Sequence, residues 1–198
     1  FQGGGSSHIN CFKTTSALEA AEGLKVTYAQ GYSVKDDVAT DAMIAEAVEA
    51  AKQAKVAVIF AGLPDSYESE GYDRSHMKMP ECQNRLIEAV AAANPNTVVV
   101  LLCGSVVECP WADSVPAILY LGLCGEAGGE AVANLLYGRA NPSGKLAESW
   151  PFAYADVPSA DIYGKMRDAL YVEGLYAGYR YYDKAGVAEI MQLAAYYA

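Results

Sequence analysis

Histidine is nearly absent from this chain. The 198 residues contain two, His8 and His76. That is too few for a histidine-based metal centre, and His76, in a loop close to an arginine, reads as a surface residue. It also leaves the serines of "LCGSVVE" and "ESW" without a nearby base. Neither stretch forms GxSxG, which argues against a serine hydrolase. Basic residues are scarce too: 14 Lys and Arg face 24 Asp and Glu, a formal charge of −10. With no basic cluster, the chain is not expected to bind nucleic acid or an anionic membrane. No apolar run reaches the ~18 residues of a membrane span. The first residues, "FQGGG", read neither as a secretory signal nor as a natural start.

Five cysteines occur, Cys11, Cys82, Cys103, Cys109 and Cys124. The number is odd and no CxxC is present, which argues against a disulfide framework or a zinc site. They read as buried free thiols, and a cytoplasmic, reducing compartment is expected. No metal or cofactor is called for. "GGGSS" (3–7) could cradle a phosphate through backbone N–H groups. It has no P-loop lysine and completes no GxGxxG, so a tight loop is the better reading.

What is present is an apolar, alanine-rich chain, 53% hydrophobic, long enough for a domain with a real core. Helix and strand signals alternate from residue 14 to about 138. "SALE" (16–19) is a capping box. "LKVTYA" (24–29) has strand composition. Residues 38–54 carry Met43, Ile44, Ala47, Val48 and Ala51 at helical spacing. "KVAVIFAG" (55–62), "NTVVVLLCG" (96–104) and "VPAILYLGL" (115–123) read as buried strands. Between them, Pro80 opens a helix with Leu86, Ile87 and Val90 on one face, and residues 125–138 form the last helix. Continuous apolar strands separated by amphipathic helices predict a parallel sheet covered on both faces. Ligands bind such sheets at the carboxyl ends of their strands. Three loops should therefore gather at one edge: "GLPDSYESEGYDRSHM" (62–77), "GSVVECPW" (104–111) and "CGEAGG" (124–129).

The first of these loops crowds Asp65, Glu68, Glu70 and Asp73, with Glu81 nearby. A carboxyl whose pKa is raised by apolar or anionic neighbours is a good general acid. Gly71 would allow a ligand close to Glu70, Tyr72 could wall it, and Arg74 could neutralise Asp73. On the residues alone, a solvated surface loop fits as well.

The motifs "GLP…ESEGYDR", "NPNTVVVLLCGSVVECPW", "GEAGGEAVANLLYGRANPSGKLAESWP" and "YVEGLYAGYRYYD" together resemble the α/β sandwich domain of family-3 glycoside hydrolases. "FQGGGSSHIN" resembles the loop after that domain's first strand, and the resemblance runs over about residues 1–184. It implies a three-layer α/β/α sandwich around a mostly parallel sheet, its first strand missing. Residues 1–150 would carry the acid/base loop, and 151–198 would be an extended segment packed on the same domain. It also implies a retaining, exo-acting β-glycosidase of the β-glucosidase kind. In that family a (β/α)8 barrel, absent here, carries an Asp nucleophile, and the sandwich supplies the acid/base Glu.

The family sets that Glu directly before Gly, which selects Glu70 over its rival Glu68. Glu68, Tyr72 and Arg74 are then expected to contact the substrate, a β-linked glucoside or oligosaccharide. The two carboxyls of a retaining pair lie about 5–5.5 Å apart. Alone, the chain should be inactive, one piece of a larger enzyme. "NPSGKLAESWP" reads as scaffold. Trp111, Trp150 and tyrosines 171, 176, 179, 181 and 182 are expected to pack the tail on the sandwich and the barrel rather than stack on sugars. The ending "KAGVAEIMQLAAYYA" departs from the family pattern. Two other readings stand: a non-catalytic carbohydrate-binding or partner-docking module, and a flavodoxin-like cofactor binder.

Overall fold

The computed structural model describes residues 2–190. Its elements follow the periodicities closely. Helix α1 (Ala17–Ala20) opens with the capping box: Ser16 accepts from the Glu19 N–H and Glu19 accepts from the Ser16 N–H. Helix α2 (Asp41–Gln53) is capped by Thr40, whose hydroxyl accepts from the Met43 N–H. Strand β1 (Ala57–Gly62), helix α3 (Glu81–Ala93), strand β2 (Thr97–Leu102), strand β3 (Ala117–Tyr120) and helix α4 (Gly128–Leu136) follow. Pro80 stands one position earlier than expected, as the N-cap of α3.

The strands pair in parallel in the order β1–β2–β3, with Ala57 opposite Thr97 and Val98 opposite Ala117. α2 packs on α3, and α1 packs on α4. The architecture is the α/β/α sandwich. Its core joins Ile59 and Ala61 of β1, Leu86, Ile87 and Val90 of α3, and Val99 and Leu101 of β2. The central strand β2 is the best covered. β1 is an edge among the described strands, and its Val58 keeps 38% exposure.

Buried polar side chains stitch the layers. The Asn94 amide donates to the Ala51 and Ala54 carbonyls at the end of α2, at 2.8 and 3.0 Å. The Gln83 amide donates to the Gly62 carbonyl and accepts from the Gly62 N–H, both at 2.9 Å.

Residues 24–29 do not form the expected strand. Leu24, Val26 and Tyr28 are exposed, and Leu24 and Val26 donate only locally, to Ala21 and Leu24. Strand propensity is a fit to a paired, half-buried surface, and no described strand offers one here.

Beyond α4 the chain is mostly irregular, apart from α5 (Tyr179–Ala185). Trp150 and Ile190 nevertheless belong to the core, and the Ile190 N–H donates to the Trp150 carbonyl at 2.7 Å. Trp111 and Trp150 are buried. Their indole N–H groups donate to Asn84 Oδ1 and the Val107 carbonyl, the role expected of buried tryptophan. Of the five tail tyrosines only Tyr182 is buried; Tyr171, Tyr176 and Tyr179 are exposed. The unmatched ending lies in part outside the described residues, from 191 onward.

Candidate active site

The loop leaving β1 begins at a glycine that geometry requires. A Cβ on Gly62 would run into the Leu102 carbonyl across the β1–β2 pair. From there the chain turns at Pro64, with the Tyr67 and Glu68 N–H groups donating to the Pro64 carbonyl.

Six side chains of the loop have an identifiable anchor. The Tyr67 hydroxyl donates to Asp37 Oδ2 at 3.0 Å, and the His76 ring meets Tyr67 edge-on at 6.0 Å. Glu68 accepts the Gly104 N–H at 2.9 Å. Glu70 accepts the Ser6 N–H at 2.8 Å. The Tyr72 hydroxyl donates back to the Asp65 carbonyl. Arg74 Nη2 donates to Ser105 Oγ at 3.0 Å and to the Val106 carbonyl at 2.7 Å.

Arg74 therefore does not pair with Asp73, contrary to expectation. The ion pairs among the described residues are Lys52–Glu49 and Arg85–Asp41. The guanidinium is turned inward to the β2 loop, where carbonyl and hydroxyl acceptors replace water. Its Nη1 is buried and has no partner among the described residues.

Two of the three loops expected at one edge meet, and Leu123, just ahead of the third (124–129), reaches them. Loop 62–77 and the loop after β2 are joined by the Glu68 and Arg74 bonds. From the loop after β3, Leu123 Cδ1 closes on the same point, 3.1 Å from where a Cβ of Gly104 would stand. A fourth segment was not foreseen at this edge. "GGGSS" forms a short 3₁₀ turn, Gly5–Ser7, under the acid loop. Gly5 has φ 73°, and a Cβ there would lie 2.6 Å from Glu70 Cβ. The glycine cluster thus seats a carboxylate-bearing loop; its role here is close backbone approach.

Glu70 is exposed. Hydrogen bonds from Ser6, side chain and backbone, hold its carboxyl below the usual glutamate range. A raised carboxyl is what an acid needs, so in this arrangement Glu70 is set as a carboxylate. Tyr72 is half exposed beside it. Cys103 lies beneath, its thiol pushed up to about 12 by burial first and then by the Glu68 charge. Among the described residues no group of His, Cys, Asp and Glu could hold a metal ion.

Sequence reasoning missed three supports. Gln83 holds β1 at the start of the loop, and its signal was a polar residue on the apolar stripe of α3. Asp37 holds Tyr67 and also accepts from Cys82 Sγ at 3.2 Å. It is the non-glycine residue with positive φ among the described residues, at 53°. Ser6 gave no signal beyond its glycine neighbours.

A parallel α/β sandwich that presents a carboxylate-rich loop at the carboxyl edge of its sheet defines the class: a layered α/β domain with an acidic loop at its ligand-binding edge. Known proteins narrow it. Residues 1–179 match the model of the glycosyl hydrolase family 3 C-terminal domain. The chain is 48% identical over 193 residues to thermostable beta-glucosidase B of Acetivibrio thermocellus, covering 94% of this chain and 26% of that protein. It is 47% identical over 192 residues to an exo-alpha-(1->6)-L-arabinopyranosidase of Bifidobacterium longum, covering 95% of this chain and 25% of that protein. The GH3 beta-glucosidase of Bifidobacterium adolescentis superposes with TM-score 0.84 at 44% identity, over 94% of this chain and 28% of that one. Beta-glucosidase 3B of Thermotoga neapolitana, in complex with glucose, superposes with TM-score 0.76 at 29% identity, over 95% and 31%. The chain belongs to glycoside hydrolase family 3 and corresponds to its C-terminal α/β domain. It spans about a quarter of the length of these curated relatives.

Proposed function

We propose that this domain supplies the general acid/base of a retaining, exo-acting β-glycosidase, and that Glu70 is that group. The supporting observation is the exposed Glu70 carboxylate, directly before Gly71, on the loop at the carboxyl end of β1 in a family-3 domain. The nucleophile is an Asp on a (β/α)8 barrel of the same enzyme. In the first step the protonated Glu70 gives its proton to the glycosidic oxygen as the C1–O bond breaks and the Asp bonds to C1. In the second, the Glu70 carboxylate takes a proton from the water that displaces the Asp.

The Ser6 hydrogen bonds favour the base form needed in the second step. Docking of the barrel brings a second carboxylate and removes water, and both raise the Glu70 pKa for the first step. Tyr72 walls the site, and Arg74 holds the loop rather than the sugar. Residues 1–150 and 151–198 act as one domain, which the Trp150–Ile190 contact supports. The exposed tyrosines 171, 176 and 179 face the barrel. The free thiols fit a cytoplasmic enzyme. Relatives of nearly equal identity carry β-glucosidase and arabinopyranosidase names, so the sugar is chosen by the barrel.

The 198-residue chain alone should not turn over an aryl β-glucoside. In the complete enzyme, Glu70→Gln should cut turnover of a poor-leaving-group glycoside by about 10²–10⁴-fold, and Glu70→Ala should regain rate with azide as a substitute nucleophile. Unchanged turnover sinks the assignment. It would favour the alternative, a non-catalytic carbohydrate-binding or docking module, which the Ser6 tie on Glu70 supports.

A further inference from the structure

Glu68 and Glu70 are two residues apart, and each carboxylate is held by a different backbone N–H. Both bonds reach solvent, Gly104 and Ser6 alike being exposed, and the two sites differ in what surrounds the acceptor. Ser6 N–H meets Glu70 at an open edge, and both residues are exposed. Gly104 N–H meets Glu68 where three loops converge. Glu68 is half-buried there, and its Oε1 fills the space into which a Gly104 Cβ would project, with Leu123 on the far side. The same β2 loop is gripped again six residues further along the chain, where Arg74 donates to Ser105 and Val106. Glu70 thus lies on a short span clamped at both ends to one loop, by a carboxylate on an N–H at one end and a guanidinium on a carbonyl at the other.

We infer that Glu68 is a positioning residue. Through the Gly104 N–H it fixes the span that carries Glu70, and it does not contact the sugar. The bond needs an acceptor oxygen, not a charge. It also needs residue 104 to lack a side chain. Displacing an acid by about 1 Å can cost on the order of 100-fold in rate, so loss of this clamp lowers the acid-dependent step.

The inference rests on Glu70 being the acid, and the test separates the two. In the complete enzyme, Glu68→Ala, Glu68→Gln, Gly104→Ala and Glu70→Ala are compared on an aryl glycoside with a good leaving group and on an alkyl glycoside. Glu68→Ala is expected to lower kcat on the alkyl substrate by roughly 10–100-fold with KM within about twofold, and to lose little on the aryl one. Azide should not rescue it. Glu68→Gln keeps an acceptor and should recover to within about threefold of the parent, whereas Gly104→Ala should reproduce the Glu68→Ala pattern.

The inference is overturned if Glu68→Gln is as damaged as Glu68→Ala, if KM rises with kcat unchanged, or if azide restores Glu68→Ala. If Glu68→Ala does not fold, Glu68→Gln and Gly104→Ala give the same decision, and amide exchange at Gly104 in Glu68→Gln reads the bond directly. A Glu70→Ala enzyme with an unaltered leaving-group dependence overturns the acid assignment instead.

Discussion

The Gln83 side chain closes on both backbone polar groups of Gly62, donating to its carbonyl and accepting from its N–H at 2.9 Å each. An amide on α3 thereby acts as one more strand residue at the last position of β1, where the acid loop departs. Gly62 has Leu102 as its β2 register partner, and Gln83 serves the other edge.

Gln83→Leu keeps the volume and removes both bonds. It should destabilise the chain by about 2–4 kcal/mol, because two backbone groups lose their partners in a partly dry setting. Urea unfolding followed by circular dichroism measures it. A loss under about 0.5 kcal/mol would mean water replaces the amide freely.

Asp37 anchors the acid loop from behind, through the Tyr67 hydroxyl and the Cys82 thiol. Its backbone sits at φ 53°. Asp37→Asn keeps an acceptor and a residue that tolerates this conformation, so the expected cost is below about 1 kcal/mol. Asp37→Val loses both bonds and adds left-handed strain of about 1–2 kcal/mol. Equal stabilities for the two variants, by the same unfolding assay, would remove Asp37 from the frame.

Thiol labelling should split the cysteines. Cys82, Cys103 and Cys109 are buried and Cys11 and Cys124 partly exposed. Burial pushes the Cys82 and Cys103 thiols up to about 12 and Cys109 higher still. The thiolate is the reacting form. At pH 8 a disulfide reagent should modify Cys11 and Cys124 within minutes and the other three only on unfolding, which peptide mass spectrometry resolves.

Alkali should unfold the chain through the tyrosines it holds wholly or partly out of water. Burial raises Tyr32, Tyr120 and Tyr182 from 10.0 to about 12. A folded pKa above the unfolded one means the stabilisation is whole below pH 10 and is lost as pH rises toward 12. Absorbance at 295 nm follows tyrosinate formation as pH rises. Tyr182, which is buried, and the half-buried Tyr32 and Tyr120 should ionise only with the loss of structure. A single transition near pH 10 with the fold intact would contradict the burial.

The elements with one dominant period were legible before any coordinates. The stripe Leu86, Ile87, Val90 and the run "TVVVLL" could satisfy their burial in one way only, and α3 and β2 formed where expected. "LKVTYA" misled because strand composition records a partner that residues 24–29 do not have. The Asp73–Arg74 pair misled for a related reason: adjacency in sequence says nothing about which way a guanidinium turns, and carbonyls of the β2 loop were the better acceptors.

The sequence by itself determined the layered α/β order and the edge where the loops after β1 and β2 meet, and its motifs singled out Glu70 for test. Those follow from periodicity and from residues close together in the chain. Only the tertiary structure decided what holds Glu70. Ser6, Asp37, Gln83 and Gly104 lie 64, 33, 13 and 34 positions away from it, and hydrogen bonds between such distant residues leave no periodic trace. They exist because parallel strands bring their carboxyl ends to one edge, and because glycines at 5, 62 and 104 let the backbones come close enough to bond.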